Sequence, residues 1–326
     1  MARILLTHSP EARAGYYGER ALTGLRRLGE VKLHGGEAPL EGEALVAAAA
    51  DCDLVVSYRQ SPAAAAFFER LPRLVAFLRC AVDIRNVDVA AASRAGVLVT
   101  QASAGFVTAV AEMVFGFLVD LSRGITRSAI EYRAGRVPKA AMGRELRGST
   151  LGVIGYGAIG REVARLGKAL GMRVLINDPY VEGVVQTSLQ ELLRESDCVV
   201  PLAVATAETE SLIGENECRQ MKRGAFFINV SRGNLVDEGA LERALESGQI
   251  AGCAMDVGRA PDQMPTPALA ARPDVIATPH TAGLTLPAIE HQSLETVAQA
   301  AEILEGRAPK GAVNAEHWTR KELLSP

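Results

Sequence analysis

The stretch from Ser149 to Asp178, STLGVIGYGAIGREVARLGKALGMRVLIND, leaves a chain few ways to fold. A short apolar strand runs into a glycine-rich turn, an amphipathic helix follows, and a second strand ends on an acid. In such a turn Gly155 permits the tight reversal, Gly157 lets the backbone approach a pyrophosphate, and Gly160 lets the helix pack closely on its strand. The helix start at Ala158, Ile159 and Gly160 offers unpaired N–H groups and the positive end of the helix dipole. Asp178 stands where an acid accepts both ribose hydroxyls and repels a 2′-phosphate. The segment reads as a dinucleotide-binding βαβ unit that selects NAD over NADP.

The rest of the chain continues the alternation. Before this unit, strand-like segments at Arg3 to Leu6, Val31 to Leu33, Leu54 to Val56, Leu74 to Leu78 and Val97 to Thr100 are separated by helix-like ones at Ala21 to Leu28, Glu43 to Ala49 and Ala63 to Arg70. After it come strands at Cys198 to Leu202, Ala225 to Asn229, Ala251 to Met255 and Val275 to Ala277. Helices fall near Leu189 to Arg194, Glu215 to Met221 and Glu238 to Ser247, and a last one runs from about Leu286 to Leu304. This order predicts parallel sheets covered by helices. Apolar residues at helical spacing from Ala109 to about Tyr132 predict one long helix, able to bridge domains or subunits.

Bulk properties narrow the partners. With 326 residues, 48% of them hydrophobic and 22% charged, the chain can bury two separate cores. A formal net charge of −3 provides no basic footprint for nucleic acid or an anionic membrane. No apolar run is long enough to span a bilayer, since Val110 to Val119 is broken by Glu112 and Gly116. The opening ARILLTHSP reads directly as a strand with no basic-then-apolar leader, which argues against export and for the cytoplasm. Five cysteines, an odd number without a C-x-x-C pair, argue against a disulfide framework or a metal site.

In open α/β sheets, ligands bind beyond the carboxyl ends of strands. Three polar segments sit there: NVSRG at Asn229 to Gly233, AMDV at Ala254 to Val257, and ATPHTAGLT at Ala277 to Thr285. An arginine supplies a planar fork for a carboxylate, and a neutral histidine suits proton exchange near neutrality. With the glycine turn, VAE at Val110 to Glu112, ETESLI at Glu208 to Ile213 and the closing ILEGRAPKGAVN, these segments make the chain resemble the D-isomer-specific 2-hydroxyacid dehydrogenase family over nearly its whole length.

The resemblance implies two doubly wound α/β domains. A flavodoxin-like substrate domain would comprise residues 1–101 and 284–326, a Rossmann NAD-binding domain residues 102–283, with the active site in the cleft. It implies that Arg232 binds the substrate carboxylate, that His280 exchanges the proton, and that Asp256 lies near the nicotinamide carboxamide. Ala203, Thr209, Val230, Ser231, His280 and Gly283 join the glycine turn and Asp178 as cofactor-contacting positions. The substrate would be a small 2-hydroxy or 2-keto acid, and the long helix after Ala109 would form a homodimer.

The chain departs from the family pattern in three places. The family glutamate that pairs with the histidine is Pro261 here, in DVGRAPDQMP. Its loss removes a partner that favours the charged imidazolium and leaves the ring less firmly oriented. Asp262 could substitute if the prolines redirect the loop. The loop that usually reads G-V-G, and gives backbone N–H groups to the substrate carboxylate, is Ala81, Val82 and Asp83. An acid there must turn away or pair with Arg85, Arg232 or His280, and it could partly replace the missing glutamate; Cys80 flanks this loop. A family His-x-Pro is Leu202, Ala203 and Val204. Arg59 adds a second cation that would suit a diacid or a phosphorylated substrate. The rival reading is an NAD(H)-sensing binding protein with weak or lost catalysis, because of Pro261.

Overall fold

Every residue of the strand Leu54–Ser57 is buried, and so is every residue of Ala76–Arg79, a pattern produced by a sheet covered on both faces. A computed structural model of the chain, which describes residues 1–324, contains two such sheets with all strand pairs parallel. The chain divides into two compact units: Met1–Gly105 with the tail from Thr285, and Phe106–Leu284.

In the first unit, β1 (Ala2–Leu6), β2 (Gly29–Leu33), β3 (Leu54–Ser57), β4 (Ala76–Arg79) and β5 (Leu98–Gln101) lie in the order β2-β1-β3-β4-β5. Side chains alternate across the sheet, as the strand period requires. Leu5, Val55, Phe77 and Val99 pack with Phe67 and Phe68 on one face, while Ile4, Leu6, Leu54, Val56 and Leu78 pack with Leu25, Ile303 and Trp318 on the other. Strand order reverses between β1 and β3. The carboxyl ends of these two strands therefore lie side by side, carrying Thr7 to Ser9 and Tyr58 to Gln60.

His8 sits there fully buried, its ring centroid 5.0 Å from that of Tyr17 and 4.9 Å from that of Tyr58, with neither ring nitrogen hydrogen-bonded. Burial, aided by Arg13 and Arg79, holds its pKa down at about 3. In the unfolded chain His8 takes up a proton near pH 6.5, as a free imidazole does. Its contribution to stability is thus complete above that pH and falls as pH drops toward 3, by close to tenfold per pH unit in the folding equilibrium. His8→Leu is expected to remove this part of the acid sensitivity. Urea midpoints for both proteins at pH 7 and pH 5 check it, and an equal acid shift in both would refute it.

In the second unit, β6 (Thr150–Ile154), β7 (Arg173–Asn177), β8 (Cys198–Pro201), β9 (Ala225–Asn229), β10 (Ile250–Met255) and β11 (Val275–Ala277) lie in the order β11-β10-β9-β8-β6-β7. The order reverses between β6 and β8, which sets the glycine turn after β6 against the loop after β8. The single long helix expected from Ala109 to about Tyr132 is two helices, Val107–Arg123 and Ile125–Arg133. Gly124 breaks it by adopting φ 64°, and the Asp120 carboxylate accepts from Thr126 N at 2.8 Å to start the second helix. Three short α-helices among the described residues escaped the periodicity, Pro267–Ala270 being the shortest. Pro10–Tyr16 is capped by Ser9 and Val89–Arg94 by Asp88. Among the described residues no helix is long and apolar enough to cross a membrane.

Candidate active site

Each glycine of the turn after β6 has a separate reason to be there. At Gly155, with φ 97°, a Cβ would lie 2.5 Å from Ala203 N, and at Gly160 it would lie 2.2 Å from the Gly155 carbonyl oxygen. The chain's own packing demands both. Gly157 has an ordinary φ of −71° and nothing within 4 Å of the place a Cβ would take. The open space it leaves adjoins the N-terminus of the helix Ala158–Ala169, whose first N–H groups have no side-chain cap. Open space beside unpaired donors suits a pyrophosphate.

Asp178, just past β7, is held at the edge of this turn. One carboxylate oxygen accepts from Tyr156 N at 2.6 Å and the other from Tyr180 N at 3.0 Å, and the remaining lone pairs suit ribose hydroxyls. In the loop after β8, Thr209 Oγ1 accepts from Thr206 N at 2.8 Å and donates to the Val204 carbonyl at 2.7 Å. Ser231 Oγ donates to the Ala203 carbonyl at 3.3 Å and joins the loops after β8 and β9. Val230 is buried, and the space at Gly283 is bounded by Phe106, 3.1 Å from where a Cβ would lie.

Arg232 and His280 are carried by turns at the ends of β9 and β11. The fully buried Asn229 shapes the first turn: its Oδ1 accepts from Ser231 N at 3.1 Å and its Nδ2 donates to the Arg232 carbonyl at 2.9 Å. The Arg232 guanidinium, half-buried, donates back to the Ser231 carbonyl at 2.7 Å. Backbone bonds then tie neighbouring strand ends: Asp256 N to the Asn229 carbonyl at 2.9 Å, Thr278 N to the Met255 carbonyl at 3.0 Å, and His280 N to the Asp256 carbonyl at 3.0 Å. Adjacent strands are ~4.8 Å apart, so the two turns, with only β10 between them, stand about two strand spacings from each other.

Asp256, expected beside the nicotinamide carboxamide, is engaged with the turn that carries His280. Only 1% exposed, its carboxylate accepts from Thr278 Oγ1 at 2.6 Å, Thr281 N at 2.7 Å and Ala282 N at 2.8 Å. That turn is under strain, because His280 takes φ 55°, a conformation unfavourable for a side chain of its size.

The imidazole meets a partner that does not replace the family glutamate in kind. His280 Nδ1 lies 3.0 Å from the backbone carbonyl oxygen of Asp262. A carbonyl only accepts, so Nδ1 carries a proton, and in the neutral ring Nε2 is the nitrogen that keeps a lone pair. Asp262 at φ 56° and Gln263 at φ 58° are both left-handed, and this double reversal after Pro261 turns the carbonyl toward the ring. Asp262 was expected to substitute through its side chain; its main chain supplies the oxygen seen here.

Sequence reasoning passed over three residues that build this end of the sheet. Besides Asn229 and Thr278, Arg259 donates to the carbonyls of Val236 and Asn234 and to Ser211 Oγ, each at 3.1 Å, and pairs with Glu210 at 2.7 Å. Its partners lie 23 to 49 residues away, so nothing local marks it. Asn229, at a strand end inside NVSRG, could have been singled out as a turn-forming residue.

The remaining expected positions belong to the first unit. Arg59 follows β3, and Ala81, Val82 and Asp83 follow β4. The Asp83 carboxylate is paired with Arg85, at 3.0 Å from Nε and 2.6 Å from Nη2, and also accepts from Arg85 N at 2.9 Å. Cys80 is buried and its thiol is pushed up to about 12 by that burial, so it packs beside the loop as an un-ionised group.

A parallel sheet whose glycine turn stands where strand order reverses defines a Rossmann-type dinucleotide-binding domain. A family model described as D-isomer specific 2-hydroxyacid dehydrogenase, NAD binding domain, matches residues 115–282. Glyoxylate reductase of Korarchaeum cryptofilum is 33% identical over 315 residues, 91% of this chain and 93% of that protein. D-3-phosphoglycerate dehydrogenase of Pongo abelii is 34% identical over 289 residues, 86% of this chain but only 54% of that longer protein. The apo structure of D-lactate dehydrogenase from Escherichia coli superposes with a TM-score of 0.82 at 26% identity, covering 95% of this chain and 99% of that one. The chain belongs to the D-isomer-specific 2-hydroxyacid dehydrogenase family, and its cofactor is NAD.

Proposed function

We propose that this chain interconverts a D-2-hydroxy acid and its 2-keto acid. Residues 102–283 serve the dinucleotide, and residues 1–101 with 284–326 serve the substrate. The turn from Gly155 to Gly160 and Asp178 hold NAD, which when bound supplies the carbon that accepts or donates the hydride. Arg232 grips the substrate carboxylate through its planar fork, and the loop at Ala81 to Asp83 keeps the substrate-contacting role that the family pattern implies for it. In oxidation His280 Nε2 takes the hydroxyl proton; in reduction the same nitrogen returns it to the carbonyl oxygen. Arg59 would favour substrates with a second anionic group.

One observation supports this reading: the Nδ1 bond to the Asp262 carbonyl makes Nε2 the nitrogen available to take a proton when the ring is neutral. A residue used only to cap or pack needs no such tautomer. The neutral carbonyl orients the ring, as the family glutamate would, without bringing a charge. The test is turnover of a panel of 2-keto acids with NADH. Reduction of at least one supports the proposal, whereas tight NADH binding with no turnover on any acid favours the NAD(H)-sensing alternative.

A homodimer is the assembly we propose. Val119, Ile125, Ile130, Tyr132, Val137 and Met142 are exposed apolar side chains on the helices Val107–Arg123 and Ile125–Arg133 and the segment after them, surface that a second copy would cover. Sedimentation equilibrium should return twice the chain mass, with Ile130→Asp shifting it toward one. The five cysteines, all free and buried, accord with a cytoplasmic setting.

A further inference from the structure

Arg79, the last residue of β4, is the largest of the fully buried side chains, and among the described residues no carboxylate is hydrogen-bonded to it. Its Nη1 donates to the Tyr58 carbonyl, and its Nη2 donates to the Ser61 carbonyl at 3.1 Å and to Asn86 Oδ1 at 2.5 Å. Asn86 passes the connection on, donating through Nδ2 to the Arg59 carbonyl at 3.0 Å. Three carbonyls of the loop that carries Arg59 are thus held by one guanidinium and one amide, and the amide belongs to the loop that follows Ala81, Val82 and Asp83. Further bonds join the same two segments: Ala63 N to the Asn86 carbonyl at 3.0 Å, and Asp88 N to the Ala63 carbonyl at 2.8 Å.

A buried cation whose hydrogen bonds all go to neutral acceptors, with the charge of Asp83 acting only from a distance, is a costly way to fill space. Burial lowers the Arg79 pKa to about 10, which leaves it charged at neutral pH. What an apolar residue, or a lysine, could not do is reach separate acceptors in two loops at fixed angles. The guanidinium fork is planar and offers five donors, whereas an ammonium is a single point. Thr7 completes the support, its Oγ1 accepting from Tyr58 N at 2.8 Å and bonding Ser61 Oγ at 3.1 Å.

The geometry points to Arg79 as a positioning residue for substrate recognition: with Asn86 it locks the Arg59 loop to the Ala81–Asp83 loop, so that both meet the substrate in one fixed arrangement. This rests on the assignment of those loops to the substrate, made above. Arg79 itself is sealed from solvent and acts only through the backbone it holds.

Three variants test it: Arg79→Met, Arg79→Lys and Asn86→Ala, the last at an exposed position whose loss should not endanger folding. KM for the best 2-keto acid should rise about tenfold in Arg79→Met and about threefold in Asn86→Ala, with kcat and NADH affinity changed less than about twofold. Arg79→Lys should resemble the methionine variant. Amide exchange at Tyr58 and Ser61, both hydrogen-bonded within the clamp, should quicken in all three. Full recovery of KM by lysine would show that charge rather than the fork matters and would overturn the assignment, as would unchanged exchange and KM in Asn86→Ala. If the wild type reduces no 2-keto acid, the functional proposal fails by itself, and exchange at these two amides still decides whether the clamp exists.

Discussion

His280→Ala is expected to lower kcat by about 10²–10⁴, the usual contribution of a positioned general acid–base group, while NADH affinity stays within about threefold. Nδ1 is committed to the Asp262 carbonyl at 3.0 Å, so the side chain offers the reaction one nitrogen, Nε2, and alanine removes it. Nothing in the glycine turn depends on the imidazole, since the turn's glycines are set by contacts to Ala203 and to each other. Steady-state kinetics with fluorescence titration of NADH separates the two effects. A variant that keeps a tenth or more of the wild-type kcat would remove His280 from the chemistry and return the Asp262 contact to a structural role.

Asp256→Ala is expected to cost about 3–6 kcal/mol of stability and most of the activity. The carboxylate serves a hydroxyl and two backbone N–H groups, at 2.6 to 2.8 Å, in a site only 1% exposed. Each buried donor left without a partner costs about 1–3 kcal/mol. The loss falls on the segment that keeps His280 at φ 55°, so relaxation of this strained residue should carry the ring away from the Asp262 carbonyl. Asp256→Asn retains one acceptor oxygen and should lose roughly half as much stability. Urea unfolding and kcat measured on both variants test the argument. If the alanine variant lost less than about 1 kcal/mol, the carboxylate would not be the support of this turn.

Most of the architecture could be read from the chain because it is local. Short continuous apolar runs such as Leu54 to Val56, each followed by a helical segment, specify parallel sheets without reference to distant residues. The exception is instructive. The apolar spacing from Ala109 to Tyr132 is continuous across Gly124, and only the left-handed backbone there, with Asp120 serving the next helix start, splits it in two. Short capped helices such as Pro10–Tyr16 offer too few turns for a periodic signal.

The candidate site divides along the same line. Arg232, His280, Asp178 and the glycines could be named from sequence, because each stands at a strand end and the chain itself sets where strands end. How those residues are held could not be. Asp256 is bonded to groups 22 to 26 residues away, and the His280 ring to a carbonyl 18 residues away. Asp83 pairs with Arg85, the nearest of the three partners open to it, while Arg79 shows no sign in the sequence of being buried among carbonyls. By itself the sequence determined the parallel sheets, the dinucleotide turn and the two residue types proposed for the chemistry, since hydrophobic periodicity and glycine spacing act over a few residues. The tertiary structure decided which atom faces each of them, because a hydrogen bond depends on distance and angle, and a main-chain oxygen, which every residue carries, becomes a specific partner only when folding aims it.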